Sequence, residues 1–165
     1  MPPSRLYFLR HGLADRDAWR GPDFERPLTP QGIARIQAEA ATLAAMKLRL
    51  DCILSSPLVR ARQTAEIVAQ ALHTPMKIDA RMAPISDIET LESILRAWPQ
   101  ADALMLVGHE PGLSLTIGAL IGGGRVVCKK GMLARVDLTT ISPPRGELVW
   151  LLPSKILASE SDEDS

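Results

Sequence analysis

The sequence predicts an α/β fold, three-layer α/β/α, with a mainly parallel central sheet and an antiparallel C-terminal addition. Three observations predict it. Strand-like runs alternate with segments of helical spacing, the pattern that βαβ units leave in a sequence. The runs Leu6-Tyr7-Phe8-Leu9, Cys52-Ile53-Leu54 and Ala103-Leu104-Met105-Leu106-Val107 are apolar without interruption, as strands buried on both faces are. The last third changes character. Met132, Ala134, Val136 and Leu138 alternate with Leu133, Arg135 and Asp137, which predicts a half-exposed strand.

In chain order, residues 5–10 read as a short buried strand, followed by a polar loop. Thr29-Pro30 starts a helix, with threonine as N-cap and proline at the first helical position. Ile33, Ile36, Ala40 and Leu43 then keep helical spacing. Asp51–Leu54 is a second strand, and Ser55-Ser56-Pro57 reads as another cap-plus-proline start. Ala61, Ala65, Val68 and Leu72 mark the inner face of that helix. His73-Thr74-Pro75 ends it, with His73 on the surface, and a short strand is expected near Lys77–Asp79. Ile88, Leu91, Leu95 and Trp98 form the next helical face, up to Pro99. The third strong strand, 103–107, closes on Gly108-His109. Leu113, Ile117, Leu120 and Ile121 follow on one helix face, stopped by Gly122-Gly123-Gly124. Ser142–Gly146 reads as a turn and Leu148–Leu151 as the returning strand.

A chain of 165 residues suits one domain with a proper core. The expected division is a single domain over 1–153 and an acidic, disordered tail over 154–165, with no internal repeat or linker. Nineteen basic and nineteen acidic side chains cancel, so nothing argues for nucleic acid or an anionic membrane. Four of the acids lie in Glu160–Ser165, leaving nineteen basic against fifteen acidic in the body. A mildly basic body suits an anionic substrate. Cys52 and Cys128 are too few for a disulfide framework and read as free thiols. No signal-peptide core and no membrane span is visible, and a cytoplasmic location is expected.

Three apolar strands each deliver a candidate site residue. The first ends on Arg10 and His11, the second leads through Ser56-Pro57 to Arg60, and the third ends on His109. In a parallel sheet their carboxyl ends face one way, and ligands bind at that edge. Arginine grips phosphate through paired hydrogen bonds, neutral imidazole serves as nucleophile or base, and a helix start favours an anion. The set therefore reads as a pocket for phosphate or another oxyanion. Competing motifs fail. Gly122–Gly124 follows a helix and precedes a strand, the wrong order for a dinucleotide site. No P-loop occurs, and His109-Glu110-Pro111 lacks the second histidine of a zinc helix. No metal or cofactor is implied.

Four motifs in order make the pattern specific: Leu9-Arg10-His11-Gly12, Arg26-Pro27-Leu28-Thr29-Pro30-Gln31-Gly32, Ser55-Ser56-Pro57-Leu58-Val59-Arg60 running on to Glu66, and Val107-Gly108-His109-Glu110-Pro111-Gly112-Leu113. Through them nearly the whole chain resembles the histidine phosphatase superfamily, with its phosphoglycerate mutase-like fold. The resemblance implies that His11 is a nucleophile forming a phosphohistidine intermediate. It implies that Arg10, Arg60 and His109 hold the phosphoryl oxygens, His109 as a cation or a donor.

Many mutases and sugar-phosphate phosphatases of that superfamily place a Glu soon after the stretch matching Asp79–Met82. Here the chain continues Ala83-Pro84-Ile85, with no carboxylate until Asp87. An alkoxide leaving group needs a proton donor, whereas the imidazole of a phosphohistidine can leave once it is protonated on its other ring nitrogen. This, with the shortness of the chain, resembles the SixA-type phosphohistidine phosphatases. The implied partner is a phosphorylated protein, such as a histidine phosphotransfer domain or a sugar-transport phosphocarrier. Asp23 is the first candidate for proton transfer, Arg26 for an extra oxygen ligand, and Glu110 for an alternative acid or a helix cap. Two other readings stand beside it: a small-molecule phosphomonoesterase with an acid from the 13–25 loop, and a non-catalytic phosphoprotein-binding module.

Overall fold

The computed structural model describes residues 3–83 and 85–159. Its single sheet runs β3 (Met76–Ile78), β2 (Cys52–Ser55), β4 (Ala103–Gly108), β1 (Arg5–Arg10), β5 (Leu133–Ile141), β6 (Pro144–Leu152) in spatial order. The first four strands are mutually parallel, and β5 and β6 add antiparallel. This is the mainly parallel sheet with an antiparallel C-terminal addition that the patterning predicts.

Alternate residues of the central strands feed two cores. Leu6, Phe8, Leu54, Leu104 and Leu106 pack with Leu91, Ile94 and Leu95 of α3 (Ile88–Arg96) and with Leu113, Ile117 and Leu120 of α4 (Gly112–Leu120). On the other face Tyr7, Leu9, Ile53, Met105 and Val107 meet Ile36, Ala40 and Leu43 of α1 (Pro30–Ala45) and Ala61, Ala65 and Val68 of α2 (Val59–Leu72). Uninterrupted apolar runs are thus the consequence of helices on both faces. Each buried leucine or isoleucine contributes roughly 1.5–3 kcal/mol.

The helix starts follow local chemistry. Thr29 caps α1, its hydroxyl accepting from the Gly32 amide at 2.9 Å, with Pro30 at the first helical position. Asp87 caps α3 by accepting from Thr90 N at 2.7 Å. The start of α2 corrects the sequence expectation. Ser56-Pro57 does not open the helix, which begins at Val59 without a side-chain cap. The Ser56 hydroxyl instead accepts from Leu58 N at 3.2 Å and meets the His109 ring at 2.7 Å.

Four further details differ. Trp98 lies past the end of α3, although it still packs against the core. The β5–β6 turn is confined to Ser142-Pro143, because Pro144–Gly146 already pair with β5. Leu133 is buried despite its place on the polar phase of the alternation, since the sheet is covered on both faces there. The domain also runs past residue 153. A short helix α5 (Ser154–Leu157) buries Leu157 against α1, where Thr42 Oγ1 donates to Leu157 O at 2.6 Å. The acidic run 160–165 and Pro84 lie outside the described residues.

Candidate active site

Adjacent parallel strands bring the candidate residues together. Arg10 of β1 stands opposite Gly108 of β4, and Val107 stands opposite Ser55 of β2. The register continues one residue beyond the sheet: His11 N donates to Gly108 O at 3.1 Å, and Ser56 N to Val107 O at 3.0 Å. His11, His109 and Ser56 therefore sit side by side at one sheet edge, with Arg60 in the first turn of α2 beside them. Arg10, His11, Arg26, Arg60, His109 and Glu110 share the walls of one cleft of about 800 Å³, with Lys130 and the loop residues Asp15, Arg16 and Asp17.

His11 is 5% exposed, and its Nδ1–H donates to Gly12 O at 2.7 Å. That bond fixes the tautomer and leaves the lone pair on Nε2. Burial, with the charges of His109, Arg60 and Arg10 against it, lowers its pKa to about 3 despite the Gly12 bond. The ring is neutral at physiological pH. The backbone beneath it is held in turn: Gly12 N donates to Thr64 Oγ1 at 3.1 Å, and that hydroxyl donates to Arg60 O at 2.7 Å. Thr64 and Ser56 are site residues that sequence reasoning passed over. Their signal was present in the Ser55–Glu66 motif, one as the residue after a strand, the other one turn beyond Arg60.

The second imidazole lies 5.2 Å from the first, centroid to centroid, tilted by 51°. Burial, then Arg60 and Arg10, bring the His109 pKa down to about 4. Of the two forms considered for it, the neutral donor is the one this environment favours. Its Nε2 lies 2.7 Å from the Ser56 hydroxyl, and a ring that accepts the serine proton there carries its own on Nδ1.

Three buried side-chain polar atoms lack a hydrogen-bond partner among the described residues: Arg10 Nε, Arg60 Nε and His109 Nδ1. All three belong to residues that line this cleft, and the two arginine nitrogens are donors. An unpaired buried donor costs about 1–3 kcal/mol. Two arginines and two histidines on the walls of one cleft, with Nε2 of His11 left free, describe a site complementary to an oxyanion.

Asp23 does not line the cleft. Its carboxylate pairs with Arg26 and Arg60, both at 3.2 Å, and its carbonyl accepts from Arg60 at 2.9 Å. Partial burial pushes its pKa up, but Arg60 and Arg26 outweigh that and hold it below the ordinary value. It is an anchor for two guanidinium groups. Arg26 is buried and also donates to Ala14 O at 2.5 Å, fixing the loop that follows His11. Glu110 accepts from the amide and hydroxyl of Ser114 and so caps α4. Among the described residues of 80–87 none lines the cleft: Met82 turns into the core, and Asp87 is committed to its helix cap.

The chain is similar to known proteins in sequence and in fold. Residues 6–105 match the histidine phosphatase superfamily (branch 1). An uncharacterised protein of Picosynechococcus sp. (strain PCC 7002) is 43% identical over 111 residues, 66% of this chain and 67% of its own length. Phosphohistidine phosphatase SixA of Escherichia coli is 28% identical over 123 residues, covering 72% of this chain and 75% of its own. The structure of the protein histidine phosphatase SixA complexed with tungstate matches with a TM-score of 0.82 at 25% identity, over 93% of this chain and 99% of that one. A SixA homologue from Agrobacterium tumefaciens gives 0.76 at 31% identity, over 92% and 99%. No helix among the described residues is long and apolar enough to cross a membrane. With residues 6–105 matched by the family's model, the chain belongs to the histidine phosphatase superfamily, branch 1.

Proposed function

We propose that the protein is a phosphohistidine phosphatase that removes phosphate from a phosphorylated histidine on a protein. The observation that carries this reading is the treatment of carboxylates around His11. The segment that supplies a glutamate in many superfamily members gives the cleft none, and Asp23 is held ionised by two arginines. A leaving group that needs no carboxylic acid suits such a site.

The chemistry then runs in two displacements. The His11 Nε2 lone pair attacks phosphorus, and the substrate P–N bond breaks with its electron pair returning to the substrate nitrogen. A substrate imidazole already protonated on its other nitrogen departs neutral. Arg10, Arg60 and His109, which line the cleft, stabilise the phosphoryl oxygens as donors. Water then attacks phosphorus, and the pair returns to His11. The Nδ1–H···O=C bond to Gly12 keeps a proton on the far side of the ring, so His11 also leaves as neutral imidazole. The related SixA structure is complexed with tungstate, which supports an oxyanion as the kind of ligand the cleft takes. A cytoplasmic setting accords with Cys52 and Cys128, both buried free thiols.

A phosphomonoesterase reading is favoured by one observation, that Asp15, Asp17 and Glu110 line the cleft. Phosphate release from a phosphohistidine-bearing protein and from a panel of phosphomonoesters, with a His11→Ala control, separates the two. A strong preference for the phosphoprotein, lost in the variant, is expected. Efficient ester hydrolysis that falls when Asp15 or Asp17 is replaced by Asn would overturn the proposal.

A further inference from the structure

A basic depression adjoins the cleft. It has a volume of about 490 Å³, and its walls include Arg10, Arg35, Lys129, Lys130 and Lys155 but, among the described residues, no carboxylate. Arg10 and Lys130 also line the cleft that holds His11, so the two cavities share a wall. None of Arg35, Lys129, Lys130 or Lys155 is ion-paired among the described residues. The carboxylates of the cleft, Asp15, Asp17 and Glu110, do not reach this depression.

Besides Arg10 on β1, the cations come from three separate elements: the 128–131 turn, α1 and α5. The 128–131 turn is tied down by Arg10, which donates to Cys128 O at 2.9 Å, and by Gly131 N, which donates toward Arg10 O at 3.2 Å and His11 O at 3.1 Å. Gly131 has φ +74°, and an added Cβ would stand 2.5 Å from Glu39 Oε1, so the turn fits closely over α1. Lys155 lies on α5, which is held to α1 by the Ser154 hydroxyl on the Glu39 carboxylate and by Thr42 on Leu157 O. Arg35 projects from α1 one turn before Glu39.

We infer that this depression docks an acidic face of the phosphoprotein substrate, placing the phosphohistidine over His11. The inference rests on the proposed phosphohistidine reading and adds its partner chemistry. Unpaired cations on a surface gain little from one another. Facing a carboxylate cluster, they raise the association rate and fix orientation. Their continuity with the phosphate site through Arg10 and Lys130 puts that attraction where it aligns the scissile P–N bond.

The test uses three synthetic peptides with a single histidine phosphorylated by phosphoramidate, flanked by glutamates, serines or lysines. The full chain is compared with Lys129→Glu/Lys155→Glu and, as a milder version, Lys129→Gln/Lys155→Gln. At low salt the glutamate peptide should show a kcat/KM about tenfold above the serine peptide, an excess that shrinks as added salt shortens the Debye length. The variants should lose that excess while cleaving the serine peptide within about twofold of the parent rate. Equal cleavage of all three peptides by the parent protein would overturn the docking inference and leave the phosphohistidine reading standing. No cleavage of any peptide would instead count against that reading. Fluorescence anisotropy with the unphosphorylated, labelled peptides then reads the depression by itself. Tighter binding of the glutamate peptide, weakened in the variants, supports docking, and equal binding of the three overturns it.

Discussion

At the scale of single residues, the site depends on keeping one imidazole neutral and correctly protonated. His11 is nearly enclosed, and its Nδ1 proton is committed to Gly12 O. Replacing it by Ala should lower turnover by on the order of 10⁴-fold or more, measured as phosphate release. Because the folded pKa values of His11 and His109 are about 3 and 4, both rings stay neutral well below the usual imidazole range. The acid limb of kcat/KM, which reports the free enzyme, should therefore fall near pH 4 rather than near 6.5. An acid limb centred near 6.5 would mean that one ring titrates normally. Thr64 acts through its neighbours, accepting from Gly12 N and donating to Arg60 O. Thr64→Val leaves a buried amide unpaired, costing about 1–3 kcal/mol in denaturant unfolding. It should also lower kcat more than it raises KM, with Thr64→Ser restoring both.

At the scale of elements, α1 is the spacer between the site and the C-terminal helix. An added Cβ at Gly32 would stand 2.3 Å from Leu13 O, so the helix start lies against the loop that follows His11. Glu39, on the same helix, is 1% exposed and bonded to Ser154. Burial raises its pKa from 4.5 to about 7, against the opposing effects of Ser154 and Arg35. The folded state thus binds more protons than the unfolded state between those values, and this group's contribution to stability falls as pH rises through that window. The two histidines act with the opposite sign, because their depressed pKa values cost stability as pH drops below 6.5. Comparing Glu39→Gln with the parent isolates the carboxylate. The variant should gain relative stability between pH 4.5 and 7, by about 3 kcal/mol in all, and hold that gain above pH 7. Urea unfolding at several pH values measures it, and a pH-independent difference would show an ordinary carboxylate.

At the scale of the whole molecule, three neighbouring parallel strand ends make one oxyanion site, so an oxyanion should stabilise the fold as a unit. Tungstate at about a hundred times its dissociation constant should add roughly 2.7 kcal/mol. For a chain of this size that is a rise in Tm of roughly 5–10 °C. The shift should vanish in Arg60→Ala, a result that scanning calorimetry gives directly. A Tm unmoved by tungstate in the parent protein would show that the cleft does not hold an oxyanion.

The sequence by itself determined the order of strands and helices, the two covered faces of the sheet, and the strand ends that meet at the cleft. Uninterrupted apolar runs and helical spacing are local records of burial, and a parallel sheet sends its carboxyl ends one way whatever the details. The four motifs were legible for the same reason, since each is a short stretch of neighbouring residues. Only the tertiary structure decided which polar groups are spent on one another. Asp23 reads as a free acid in a loop and becomes the counter-ion of Arg26 and Arg60 once α2 is brought against that loop. Ser56 reads as a helix cap and becomes a partner of His109, fifty-three positions away. Lys155 falls in what reads as a tail, and α5 instead carries it to the wall that also holds Arg10. Hydrogen bonds and ion pairs are satisfied across space, between groups the chain separates. A linear pattern records the burial of each residue but not the identity of its partner.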